Sequence, residues 1–281
     1  CRKYNFNAAI VQMRQRGDAF YLPQAPNPDP RTSLVASNFD ALAEIIKECH
    51  SGTPRIEVHC WLSSHNIWSA DLPPVQPSHL FNLHPEYLTQ SSKGQKHLNR
   101  GYYLDPGNPE ANQAVFNVAR DIVSRYDIDG LHWDYCRYPA RDSGFNDTAI
   151  RRFVEEFGRR GPPSANDPHF CDWRRRQVTD FLRWVDADLL EIKPGLVISV
   201  AVYADLSDSY GVCFQDWPAW SEEGIVDICM PMNFARNTQQ VFCRRVDDAR
   251  KRQGVRFVYT GQGGYMSTRE ETLQQLNYAR E

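Results

Sequence analysis

Short apolar runs alternate along this chain with longer segments of helical period, and no other regularity in it narrows the choice of fold as far. The runs predict strands over Phe6–Arg14, Arg55–Leu62, Ile128–Asp134, Leu196–Tyr203, Val226–Asn233 and Arg256–Gln262. Between them, apolar residues recur at three- and four-residue spacing in Phe39–His50, Glu110–Tyr126, Trp173–Ile192 and Val241–Gln253, which reads as crossover helices. Asn108-Pro109-Glu110 is a strong helix start: a capping amide, a proline at the first helical position and an acid in the first turn.

Read by parity, the strands carry a second pattern, because successive side chains point to opposite faces. Ile198, Val200 and Val202 oppose Ser199, Ala201 and Tyr203; Ile56, Val58, Cys60 and Leu62 oppose Glu57, His59 and Trp61. Leu131 and Trp133 oppose Gly130, His132 and Asp134, and Ile228, Met230 and Met232 oppose Cys229, Pro231 and Asn233. One face is greasy and the other small or polar. Helices would cover the first, and the second would line an α/β barrel of the (β/α)8 TIM type. A doubly wound sheet has helices on both faces and a Gly-rich phosphate loop after its first strand; no GxGxxG occurs here. Eight-stranded barrels run to about 250 residues, so the 281 residues are read as a single barrel catalytic domain. Six strands leave the first and last of a closed eight to lie outside the chain, so a fragment is expected. The segments after Leu62 and after Tyr135 are read as long loops rich in Pro, Ser, Asn and His, which in a compact domain tend to be functional.

Charge and composition exclude several classes. The net charge of −3 is spread along the chain without a basic block, which argues against a nucleic-acid partner. No apolar run approaches the roughly 20 residues needed to span a bilayer. The eight cysteines lie far apart without a CxxC pair and are expected mostly as buried thiols. Localisation stays open: no charged-then-apolar segment opens this sequence, and export to the periplasm or beyond the cell is expected if a signal has been removed.

The densest run of reactive side chains is Tyr126 to Pro139, where a strand ends on Asp134 and continues through Tyr135, Arg137 and Tyr138. Barrel active sites form at the C-terminal tips of strands, so Asp134 is the leading catalytic candidate, with Tyr135 and Arg137 beside it for binding. Asp127 and Asp129 precede the strand interior and are read as turn and strand-entry groups.

The stretches FNAAIVQMRQRGDAFY (6–21), IEVHCWL (56–62), LDPGNPE (104–110), RYDIDGLHWDYCRYP (125–139) and QDWPAWSEEGIVDICMPMNF (215–234) resemble the glycosyl hydrolase-like 10 family (GHL10). The resemblance implies a TIM-barrel glycosidase fold and hydrolysis of a polysaccharide, with cell-wall-type or other bacterial glycans among the candidate substrates. In that family a strand commonly precedes the first stretch, and the tip motif often reads Asp-Asp. Here Asp134-Tyr135 leaves one acid at the tip.

Glycoside hydrolysis ordinarily takes two carboxyl groups. Asp18, after the first strand and in a family-like stretch, and Asp205, after Tyr203, rank equally as the partner; Asp208 and Asp216 lie further out. Sugars present apolar ring faces and hydroxyl edges, so the binding candidates are Gln12, Arg14, Tyr21, His59, Trp61, Asn66, Tyr135, Arg137, Tyr203, Asn233 and Gln262, each with a structural alternative as a barrel-interior group. Trp217 and Trp220 are read as loop packing. No cofactor and no metal are expected, and a glycan is the expected partner. A metal-dependent hydrolase is the main rival, given eight histidines, but HxH and HExxH are absent. A barrel that binds glycan without cleaving it is the second rival.

Overall fold

The computed structural model describes residues 2–235 and 239–280. In chain order the elements are β1 (Ala8–Arg14), α1 (Ala41–His50), β2 (Glu57–Ser63), β3 (Asn66–Trp68), α2 (Leu80–Leu83), β4 (Tyr102–Tyr103), α3 (Pro109–Arg125), β5 (Gly130–Asp134) and α4 (Asp147–Phe157). Then follow α5 (Pro168–Ile192), β6 (Val197–Tyr203), α6 (Leu206–Gly211), α7 (Trp217–Glu223), β7 (Ile228–Asn233), α8 (Gln239–Arg252), β8 (Phe257–Val258), β9 (Gly261–Gln262) and α9 (Arg269–Arg280).

One parallel sheet carries the order β1-β2-β5-β6-β7-β8, with β9 also paired to β7. β8 and β9 are two pieces of one strand position, since Phe257 and Val258 pair with the start of β7 and Gly261 and Gln262 with its end. Each expected strand is therefore present, the last broken at Tyr259-Thr260. The sheet is an open arc with β1 at one edge and β8 and β9 at the other, and helices surround it as in a TIM-type barrel.

Local chemistry explains the helices. Asn108 caps α3 by accepting from the amides of Glu110 and Ala111, with Pro109 at the first position. Asp167 does the same for α5 ahead of Pro168, and Asn146 for α4, which ends on left-handed Gly158. The expected loop after Tyr135 is thus partly helix. α4 has its own apolar cluster, in which Phe145, Ala149 and Phe153 pack on Phe170 and Trp173. The expected loop after Leu62 holds the antiparallel pair β3–β4. Trp217 and Trp220, read as loop packing, are instead buried in α7, where Trp220 donates to the Thr179 hydroxyl at 2.8 Å.

Parity holds on β2, β5 and β6: Val58, Cys60, Leu62, Leu131, Trp133, Ile198, Val200 and Val202 are fully buried under the helices. On β7 the expected facing is reversed. Register sets Met230 opposite Ala201 and Met232 opposite Tyr203, so both methionines line the interior. Cys229 and Asn233 face the helices, where the Trp217 and Phe242 carbonyls take their donors at 3.8 and 3.0 Å. A buried carbonyl needs a donor, so polar side chains belong on that face despite their hydropathy. Cys60, Cys136, Cys171, Cys213 and Cys229 are buried free thiols and Cys49 and Cys243 are partly buried. Cys1 lies outside the described residues.

Candidate functional site

Asp134 ends β5 and is only 7% exposed, yet it lines a cavity of about 280 Å³ with Ile10, Trp61, His132, Met230 and Phe234. The strand tip is pinned from its neighbour: the Asp134 carbonyl accepts both the amide and the hydroxyl of Ser64 at 2.8 Å. Tyr135 then turns left-handed, at φ 56°, which aims its amide at Asp134 Oδ1 over 2.7 Å and folds Arg137 back to the same oxygen at 3.4 Å. Left-handed backbone is costly for an aromatic residue, and such strain concentrates where function demands a particular turn. The Arg137 guanidinium lies over two rings, 4.3 Å from the centre of Tyr135 and 5.1 Å from that of Tyr203. Tyr103 flanks Tyr135 at 6.0 Å.

Beneath Asp134, His132 meets Trp61 edge to face at 6.3 Å and the Ser199 hydroxyl at 2.8 Å. Burial lowers its pKa to about 4, against a smaller upward pull from Asp134, so the ring is neutral at physiological pH. A separate cavity of about 450 Å³ opens at the N-terminal ends of the strands, lined by Glu57, His59, Asp227, Arg256 and Phe257 among others.

The structure brings together Asp134, Tyr135, Arg137, Trp61 and Tyr203. Asn66 stands behind them, opposite Tyr103 in the β3–β4 register, and Gln12 pairs in register with Trp61. Other candidates are placed elsewhere. Arg14 is fully buried and spends its donors on Asp29 and on the carbonyls of Ser63 and Ser64, so it braces the β1–β2 tips instead of meeting a sugar. Tyr21 is a fully buried core ring packed edge to face on Tyr126. His59 lies deep, 3.3 Å from Glu57, against the lower cavity. Asn233 is turned to α8, and Gln262 donates to Gln275 of α9 at 2.9 Å. Asp205 caps α6, accepting from Ser207 and Asp208; those bonds, the Ser207 hydroxyl first, draw its pKa down. Asp18 follows β1 and accepts weakly from the Arg16 amide at 3.3 Å. Among the described residues, Asp134 is the one carboxylate lining its cavity, and no three His, Cys, Asp or Glu side chains converge as metal ligands would.

Parity and strand-end arguments missed Met230, Met232 and Phe234, whose apolar side chains give no polar signal, and Tyr103, which arrives from the insertion.

The glycosyl hydrolase-like 10 family model matches residues 2–270, nearly the whole chain. The chain belongs to that family. Among curated members of similar sequence, glycosyl hydrolase YngK of Bacillus subtilis (strain 168) is 27% identical over 253 residues, covering 82% of this chain and 46% of that protein. Glycosyl hydrolase DigH of Escherichia coli (strain K12) is 23% identical over 260 residues, covering 82% and 55%. This glycosyl hydrolase-like 10 chain thus spans about half the length of the curated relatives it matches. Of solved structures, the PgaB (BpsB) glycoside hydrolase domain from Bordetella bronchiseptica superposes with a TM-score of 0.70 at 18% identity, covering 98% of this chain and 80% of that one. The β-galactosidase from Marinomonas ef1 gives 0.64 at 11%, covering 93% and 44%. At such identities the likeness speaks to fold, and the fold is that of TIM-barrel-like glycoside hydrolases.

Proposed function

We propose that this chain hydrolyses glycosidic bonds in a polysaccharide, with Asp134 as base or nucleophile. The supporting observation is the way the carboxylate is held: the hydrogen bonds to its side chain fall on Oδ1, from the Tyr135 amide and Arg137. A carboxylate fixed through one oxygen and paired with a guanidinium leaves its second oxygen for water or an anomeric carbon. Trp61 and Phe234 supply ring faces for sugar stacking.

Protonation of the leaving oxygen then falls to a second acid. With Asp205 committed to its helix cap, Asp18 is the partner we favour, because it follows β1 at the same end of the sheet. The presence of one carboxylate in the cavity lining favours a second reading, a barrel that binds glycan without cleaving it.

Incubating the protein with a panel of glycan polymers, cell-wall glycan strands included, and analysing the products decides between them. Release of new reducing ends supports hydrolysis. Binding with no release from any polymer supports the second reading. The β3–β4 insertion and α4 follow two strands that carry site residues and are suited to wall an open groove, so oligosaccharides are the expected products; release of terminal monosaccharide alone would contradict internal cleavage.

A further inference from the structure

Four histidines are buried among the described residues: His59, His65, His79 and His132. In His65 both ring nitrogens are hydrogen-bonded, to the Ser64 hydroxyl and the Asn112 carbonyl. In His79 they meet the Arg16 carbonyl and the Phe81 amide. That is the ordinary state of a buried polar ring. His59 rests on Glu57 through Nε2, and its Nδ1 is sealed against Gly130. His132 differs from all three. Its Nδ1 and the Ser199 hydroxyl are hydrogen-bonded at 2.8 Å, while Nε2 has no hydrogen-bond partner among the described residues and is not closed off from solvent. Because His132 lines the Asp134 cavity, Nε2 is the ring atom it presents there.

Register explains the placement. His132 lies level with Trp61 on β2 and with Ser199 on β6, two residues below Asp134 on the same face of β5. Two residues of strand rise are about 7 Å, a gap that one sugar ring and its hydroxyls can span. The Ser199 bond and the edge contact with Trp61 at 6.3 Å fix how the imidazole is turned. At about 280 Å³ the cavity is smaller than the roughly 300–1,000 Å³ of drug-sized ligand sites, so it admits one ring at a time. Ile10, Ala201, Met230, Met232 and Phe234 give it apolar walls, and no lysine or arginine lines it among the described residues. Asp134 and an imidazole that burial keeps neutral are thus the hydrogen-bonding groups it offers. A carboxylate or sulfate on the sugar would face the Asp134 charge with no cation in the lining to offset it.

We propose that His132 is a substrate-binding residue: Nε2 pairs with a hydroxyl of an uncharged sugar whose anomeric carbon faces Asp134, and Ser199 is the positioning residue that holds the ring in place. The inference rests on the hydrolytic reading of the site.

The test measures reducing-end release by wild type, His132→Phe, Ser199→Ala and the double variant on the neutral polymer the wild type cleaves best, and by wild type on polygalacturonate, in which every ring bears a carboxylate. His132→Phe keeps an aromatic ring against Trp61 and removes both nitrogens. Expected is a kcat/KM lowered about tenfold to a hundredfold in His132→Phe, as for a sugar hydroxyl left without its partner, and about threefold to tenfold in Ser199→Ala. The double variant should match His132→Phe, since Ser199 acts through the imidazole, and polygalacturonate should stay uncut. A second readout is independent of how the variants fold: in the Asp134→Asn protein, the nitrogen resonance of His132 Nε2 should move on saturation with a soluble oligosaccharide that the protein binds. His132→Phe kinetics equal to wild type, a double variant slowed by the full Ser199→Ala factor beyond His132→Phe, or polygalacturonate cleaved as fast as the neutral polymer overturns the proposal. An unmoved Nε2 resonance overturns it as well. A wild type that cleaves no polymer, with the Nε2 resonance still moved by bound oligosaccharide, sinks the hydrolytic reading and leaves His132 as a sugar contact; a protein that neither binds nor cleaves any glycan removes both.

Discussion

His65 sits directly after the Ser64 clamp on the Asp134 strand tip and is fully buried, with its ring nitrogens on the Ser64 hydroxyl and the Asn112 carbonyl at 3.1 Å. Burial is the main cause that lowers its pKa from 6.5 to about 4, outweighing the Asn112 bond that favours the charged ring. The folded state therefore resists protonation while the unfolded chain accepts it, so His65 costs nothing above pH 6.5, and stability is lost as pH falls from 6.5 towards 4. At about 1.4 kcal/mol per pH unit, that fall is worth roughly 3 kcal/mol for this ring. Asp186, whose pKa burial raises to about 6, works in the opposite sense over part of the window, but it is half-buried and screened. Comparing the wild type with His65→Gln isolates the ring from such contributions. Urea unfolding at intervals from pH 7.5 to 4 should show the variant less stable at neutral pH but with a shallower decline, by about 1 kcal/mol per pH unit near pH 5. Parallel profiles would refute the claim that His65 is held neutral by burial.

Trp61→Ala removes a ring from the cavity floor and should weaken glycan binding by about 1.5–3 kcal/mol with little change in fold, read by titration with a soluble oligosaccharide that the wild type binds. In Gly130→Ala the added methyl would stand 2.6 Å from Cε1 of the buried His59, so overpacking should cost about 1–3 kcal/mol in urea unfolding. Arg100→Gly relieves a left-handed arginine and should stabilise the protein by about 1 kcal/mol; a loss of stability would show that the turn depends on the arginine for more than its backbone.

The sheet was legible because both of its signals are physical necessities. A parallel strand needs an apolar outer face, and a crossover helix needs an apolar stripe, so Ile198-Ser199-Val200-Ala201-Val202 and Glu110–Tyr126 announce themselves. Asp134 could be singled out because it ends such a strand. The facing of β7 could not be read from hydropathy, because Asn233 and Cys229 answer helix carbonyls while two methionines fill the interior. Arg14 stands at a strand tip as a binding residue would, and only the folded position of Asp29, fifteen residues on in a loop, turns it into a buried brace. α4 and the β3–β4 pair escaped because each is short and draws its stability from contacts beyond its own segment, in α4 with Phe170 and Trp173.

The measurement that bears most directly on the role of Asp134 is a side-by-side assay of wild type and Asp134→Asn on one glycan polymer, scoring reducing-end release and co-sedimentation with the insoluble form. The substitution keeps the size and hydrogen-bonding reach of the side chain and removes its charge. Release lost by at least about a thousandfold, with polymer still bound, is the predicted result; release undiminished in the Asp134→Asn variant would contradict the account.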